Sequence, residues 1–232
     1  MTSGTVVVTG TGTGVGKTVV TAAVAAIAVA EGMRVAVLKP AQTGVEDGEP
    51  GDIDEVRRLV GGEITAKELA RYPDPLAPST SARRAGQPPV TPGDTAAAAR
   101  QLATEHDLVL VEGAGGLLVR LDHRGGTLAD VAVALAAPVL VVAAAGLGTL
   151  NHAELTVEAL RHRGLACLGL VIGAWPDRPD LAAQHNLDDL PDVTGVRLLG
   201  ALPDGASNLT PPAFLHAAQS NLAPILGGRW PG

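Results

Sequence analysis

Residues 5–18 read TVVVTGTGTGVGKT. The first five are a short β-branched, apolar run of the kind that fills a buried strand. The next seven alternate glycine with Thr and Val, and the stretch ends on Gly16-Lys17-Thr18. A glycine-rich turn between a strand and a helix wraps its backbone N–H groups around phosphate oxygens, because only glycine lets the chain come so close and take positive φ. The helix starting near Gly16 aims its positive end at the same anion. Lys17 adds a charge for the β- and γ-phosphates, and the Thr18 hydroxyl is placed for Mg²⁺. The spacing is a variant of the usual G-x-x-x-x-G-K-[ST], with Gly10 six residues before Gly16 and Gly12 four before. A flexible Gly/Thr turn is the alternative. The Gly-Lys-Thr ending weighs against it, since this chain has only three lysines, Lys17, Lys39 and Lys67.

The rest of the chain suits that setting. Further apolar runs recur at 34–39, 107–112, 138–144, 167–173 and 196–202, with Ala-rich stretches such as 18–31, 94–106, 128–137 and 152–163 between most of them. The runs are apolar throughout rather than alternating, as strands covered on both faces are. The expected fold is α/β: one P-loop domain over residues 1–232, a mostly parallel sheet with helices on both faces. The Pro-rich stretches 72–81 and 86–94 read as loops or a short excursion beside the sheet, and Lys67, in TAKELAR, as a solvated helix face.

Composition narrows the function. The net charge of −7 argues against a sequence-independent grip on nucleic acid. Cys167 is the only cysteine, which excludes an intrachain disulfide and a cysteine metal cluster and suits a reduced, cytoplasmic setting. The start, MTSG, lacks the basic residues of a secretory signal. Residues 131–150 carry no charge and match a membrane span in length, but Pro138 and the β-branched residues after it indicate a helix end followed by a buried strand.

A phosphate loop carrying Mg²⁺ needs an acid at the end of a neighbouring strand. LVLVEGAGG supplies Glu112, followed by Gly113, Ala114, Gly115 and Gly116. VLKPAQTG places the second lysine, Lys39, at another strand end, with Thr43 nearby. In open parallel sheets ligands sit outside the carboxyl ends of the strands, so Lys17, Lys39 and Glu112 are expected on one edge. GDIDEVRRL offers Asp52 and Asp54 in the first turn of a helix.

Taken together and in order, VTGTGTGVGKT, KPAQTG, VEGAGG and LGTLNHAELTVEAL resemble the dethiobiotin synthetase family, from Val6 to about Pro203. The resemblance implies a ligase that makes dethiobiotin from 7,8-diaminononanoate, CO₂ and ATP with Mg²⁺, as a cytoplasmic homodimer with the substrate site at the interface. It assigns Gly12, Thr13, Gly14, Val15, Gly16, Lys17, Thr18 and Val19 to the nucleotide. It puts Thr18, Asp52 and Glu112 around Mg²⁺, favouring Asp52 over Asp54. It gives Lys17 and Lys39 the catalytic charges. Thr13, Thr43, Gly115 and Gly116 fall to the carbamate or diamine, and Gly113, Ala114 and Gly115 to the phosphates. Leu147 and Asn151 would lie over the substrate's carboxylate tail, with Asn151 capping the helix there.

The chain departs from the family pattern in two places. Gly14 stands where some relatives carry an acid. VIGAWP stands where relatives present an Asn that reads adenine, which opens the nucleotide to other triphosphates. Main-chain groups of Gly173, Ala174, Ala201, Leu202 and Pro203 become the base contacts, and Trp175 serves either stacking or packing. Amidoligases, small-molecule kinases and P-loop switch ATPases share the loop. The absence of a cysteine nucleophile in a suitable setting, and of a basic C-terminal surface, disfavours the first and the last. Neither nucleic acid nor membrane is an expected partner.

Overall fold

The computed structural model describes residues 1–231. Seven strands form one parallel sheet: β1 (Gly4–Gly10), β2 (Val35–Thr43), β3 (Thr65–Tyr72), β4 (Leu108–Gly116), β5 (Val139–Ala143), β6 (Cys167–Trp175) and β7 (Leu198–Pro203). Their spatial order is β3-β2-β4-β1-β5-β6-β7. The central strands are apolar on both faces because both faces are covered. In β1, Val7 packs into one core layer, while Val6 and Val8 pack into the other.

Helices α1 (Lys17–Ala30) and α2 (Asp52–Val60) lie on the second face, with α8 (Pro211–Asn221). α3 (Pro78–Ala85), α4 (Pro92–Ala103), α5 (Leu128–Leu135), α6 (Thr149–Arg161) and α7 (Leu181–Thr194) cover the first. α1 follows the phosphate loop directly. Its run Val20–Ala28 is buried on every side, which the Ala-rich sequence permits because small side chains let neighbouring elements close in.

The uncharged stretch 131–150 divides as its proline dictates. α5 stops at Leu135, Ala136 takes a left-handed φ of 48°, and β5 starts after Pro138. Among the described residues, no helix is long and apolar enough to cross a membrane.

Three expectations need correcting. TAKELAR is not a helix: it is most of β3, paired in parallel with β2 from Ala36 opposite Thr65 to Thr43 opposite Tyr72. Its residues are good helix formers, but the open edge of β2 decides the outcome. Lys67 is nonetheless exposed. The segment read as loop at 72–81 contains the start of α3, with Pro78 at its first turn. Asn151 does not cap α6. The cap is Gly148, at φ 92°, and Asn151 lies one turn in, exposed.

Candidate active site at the carboxyl edge of the sheet

Strand register builds the site. β2 and β4 pair with Leu38 opposite Val111, so the next residues, Lys39 and Glu112, fall side by side. β4 also flanks β1, where Val8 is opposite Glu112. β1 then turns into the glycine loop that delivers Lys17 and Thr18 to the first turn of α1. Gly16 takes φ 90°, and a Cβ there would stand 2.7 Å from the Gly173 carbonyl oxygen, so only glycine fits.

The polar groups converge. Lys39 Nζ lies 2.9 Å from Glu112 Oε1 and 2.5 Å from Asp52 Oδ2, and it also donates to the Gly113 carbonyl at 3.2 Å. The Thr18 hydroxyl donates to Glu112 Oε1 at 2.9 Å. Lys17 Nζ folds back to the Gly12 carbonyl at 2.9 Å. Lys39 and Glu112 are buried, at 3% and 1% exposure, whereas Asp52 faces the cleft at 36%.

Burial alone would lower the Lys39 pKa, but Glu112 and Asp52 outweigh it and hold the ammonium above its ordinary range. Lys17 goes the other way. Burial, with the neighbouring Lys39 charge, pushes it below the usual lysine value against the pull of Glu112 and Asp52. An anion beside Lys17 would offset both effects.

Geometry separates the two candidate aspartates. Asp54 is spent on its own helix: its carboxylate accepts the Gly51 N–H at 2.9 Å and lies 3.6 Å from Arg57. Asp52 points into the cluster. Glu112 Oε2 is buried with no hydrogen-bond partner. A buried carboxylate oxygen left without a donor is costly, and a cation would satisfy it. Among the described residues no three His, Cys, Asp or Glu side chains gather around one point. Two carboxylates and a hydroxyl are nevertheless the sparse, all-oxygen set that suits Mg²⁺, which keeps waters and takes phosphate oxygens.

Lys17, Thr18, Lys39 and Asp52 line a cleft of about 770 Å³, behind whose wall Glu112 is buried. Its walls include Thr13, Gly14, Gly16, Lys17, Thr18, Val19, Lys39, Thr43, Asp52, Ala114 and Gly115 from the sequence-derived set. They also include Gln42, the apolar run Pro75–Pro78 and Val119, to which the sequence reading gave no role. The sequence carried no signal for the first, because Gln42 stands near the end of a strand that already holds Lys39 and Thr43.

Gly173, Ala174, Ala201, Leu202 and Pro203 do not reach this cleft. They lie at the ends of β6 and β7, paired through Ile172–Ala201 and Trp175–Pro203, on the other side of β1. Gly173 is packed under the phosphate loop, where a Cβ would collide with the Val15 carbonyl. Ala174 is exposed. Gly116 lies beside Gly10, at the floor of the loop.

Leu147 is 93% exposed and heads α6 with Asn151, away from the Lys39 cluster. A second cavity of about 350 Å³ runs between Gly116–Val119 and the α6 residues His152, Leu155, Thr156 and Ala159. Cys167 starts β6, at the opposite end of that strand from Trp175, and burial pushes its thiol up to about 11.

Residues 4–212 match the AAA domain family. The chain is 68% identical over 224 residues, 97% of both chains, to the ATP-dependent dethiobiotin synthetase BioD of Saccharopolyspora erythraea. It is 66% identical to the enzyme of the same name from Streptomyces coelicolor, covering 97% of this chain and 94% of that one. The chain belongs to the dethiobiotin synthetase family.

Solved structures place the family's fold among P-loop ATPases. A ParA family ATPase from Chlorobium tepidum aligns with a TM-score of 0.57 at 15% identity, covering 95% of each chain. The septum site-determining protein MinD from Pyrococcus horikoshii aligns with a TM-score of 0.54 at 18% identity, covering 93% of each. Identities that low carry the fold alone, and the high-identity relatives are synthetases rather than switches.

Proposed function

We propose that this chain is an ATP-dependent dethiobiotin synthetase of biotin biosynthesis, closing the ureido ring of dethiobiotin from 7,8-diaminononanoate and CO₂. The observation that carries the reading is Lys39, held between Asp52 and Glu112 beside the phosphate loop, in a chain 68% identical to a synthetase of that name over nearly its whole length.

The chemistry follows from the charges. One substrate amine adds to CO₂ and loses a proton, giving a carbamate. A carbamate oxygen then attacks the γ-phosphorus, the bond to ADP breaks, and a carbamic–phosphoric anhydride forms. The second amine attacks the carbonyl carbon, phosphate departs, and a proton leaves with the ring closure. Positioning and charge stabilisation do most of such work.

In this reading Lys17 and the main chain of Gly12–Gly16 hold the β- and γ-phosphates. Lys39 neutralises the carbamate and the transferring group. Thr18, Asp52 and Glu112 hold Mg²⁺, which when bound supplies positive charge to the phosphate oxygens. Thr13, Thr43, Gly115 and Gly116 orient the carbamate and diamine, and Gly113 and Ala114 border the phosphates. The sheet order supports a division of labour. β2 and β4 carry the acceptor side, β1 the phosphates, and the ends of β6 and β7, with Gly173, Ala174, Ala201, Leu202 and Pro203, the base.

The working unit is a cytoplasmic homodimer. Exposed Leu118 and Leu155 line the second cavity, an apolar face that a second copy would cover. Leu147 and Asn151 of that copy would then meet the substrate tail. The test is fixation of bicarbonate carbon by the purified chain. Acid-stable product is expected only when diamine, Mg²⁺ and nucleotide are all present.

A further inference from the structure

Gln42 is 6% exposed at the carboxyl end of β2, three residues after Lys39. Its amide oxygen accepts the backbone N–H of Asp52 at 2.9 Å, and its amide nitrogen donates to the Thr43 carbonyl at 3.2 Å. Asp52 is the first residue of α2, so its N–H is one of the donors that a helix start leaves without an internal partner. The helix supplies no side-chain oxygen of its own for that N–H, because its cap is Gly51. A strand side chain serves instead, from across the cleft wall.

The surroundings are built around this bond. A Cβ on residue 51 would come within 3.0 Å of both Gln42 Oε1 and Arg71 Nη2, so glycine there makes room for both. Arg71, anchored to Glu68 at 2.8 Å, donates to the carbonyls of Glu46 and Glu49 and straps the connection leading into α2.

We propose that Gln42 is the positioning residue for Asp52, fixing the start of α2 so that the Asp52 carboxylate reaches the metal side of the phosphate site. The proposal rests on the reading of Asp52 as a Mg²⁺ holder. Side chains behind a metal-side group typically set affinity by 10- to 100-fold without touching the ion themselves. Gln42 also lines the cleft, so a direct contact with substrate is the rival explanation.

The experiment is calorimetric titration of ADP into the full chain across a Mg²⁺ series, for wild type, Q42M, D52N and the double variant. Q42M keeps the side chain's length and removes the acceptor. The Mg²⁺ concentration giving half-maximal enhancement of ADP binding is expected to rise about 10-fold in Q42M. Its melting temperature should stay close to wild type, and Q42M should add little once Asp52 is already Asn. If Q42M melts early, G51A tests the same bond from the helix side, since its Cβ would press on Gln42 Oε1, and it is expected to raise the Mg²⁺ requirement likewise; wild-type Mg²⁺ dependence there would overturn the proposal. A Q42M protein with wild-type Mg²⁺ dependence, or an equal loss in the D52N background, would overturn the proposal. A D52N protein with unchanged Mg²⁺ dependence would bring down the reading of Asp52 itself, and this proposal with it.

Discussion

Lys39 is the residue on which most of the site's energetics turn. It is almost fully buried, yet its charge is kept by two carboxylates and a carbonyl. Replacing Lys39 with Gln would leave Glu112, at 1% exposure, without its cation. Removing one partner of a buried pair costs about 3–5 kcal/mol, so the K39Q variant should melt well below wild type. Turnover should fall by about 100-fold or more, the usual scale for losing a group that stabilises developing charge. Titration with ADP should still show binding, because Lys17 and the loop remain. Turnover close to wild type in a folded K39Q protein would remove Lys39 from the reaction. At this scale the sequence foretold which side chains come together. Lys17, Thr18, Lys39 and Glu112 each close a short motif at a strand or helix end. The resemblance favoured Asp52 over Asp54, and the fold adds a physical reason: Asp54 caps its own helix while Asp52 faces Lys39. Gln42 was illegible, its partner lying ten residues away on another element.

Among elements, the phosphate loop depends on a strand it does not belong to. Gly173 of β6 lies directly under Val15 and Gly16, so the loop's height above the sheet is set by the missing side chain. A methyl group there would lift the loop off β6. Displacements of about 1 Å in a catalytic constellation cost on the order of 100-fold. G173A should therefore lose that much turnover and bind ADP more weakly, while its circular dichroism stays that of the parent. Normal turnover in G173A would show that the loop adjusts freely. Element identity followed legibility of pattern. Six strands announced themselves as uninterrupted apolar runs because both their faces are covered. β3 did not: Ala66, Lys67, Glu68, Leu69, Ala70 and Arg71 favour a helix in isolation, and the strand exists because β2 offers its edge. The wall Pro75–Pro78 was hidden too, since prolines mark a turn without saying what it faces.

For the whole molecule, the outstanding feature is an apolar surface beside α6. Leu155 is 56% exposed and Leu118 44%, on the two sides of one cavity. If a second copy covers this face, a charge at its centre should separate the copies. Leu155→Asp is expected to cost about 2 kcal/mol or more of association, the size of an interface hot spot, and to convert a dimer into a monomer under light scattering. Wild-type protein that is monomeric at the concentrations where it turns over would contradict the dimeric reading. The α/β class and the two covered faces of the sheet were readable from the chain. The apolar face was not, because Leu118 and Leu155 each look like ordinary helix or turn residues until the fold sets them together.

Fixation of carbon is the reaction that tests the assignment most directly. The purified chain would be given ¹⁴C-bicarbonate, Mg²⁺, diaminononanoate and ATP, with each omitted in turn and CTP replacing ATP in a parallel series. The prediction is acid-stable label that requires diamine and nucleotide together and matches the ADP released. Nucleotide hydrolysis indifferent to the diamine, with no label retained, would contradict the synthetase assignment and leave a P-loop ATPase of another kind.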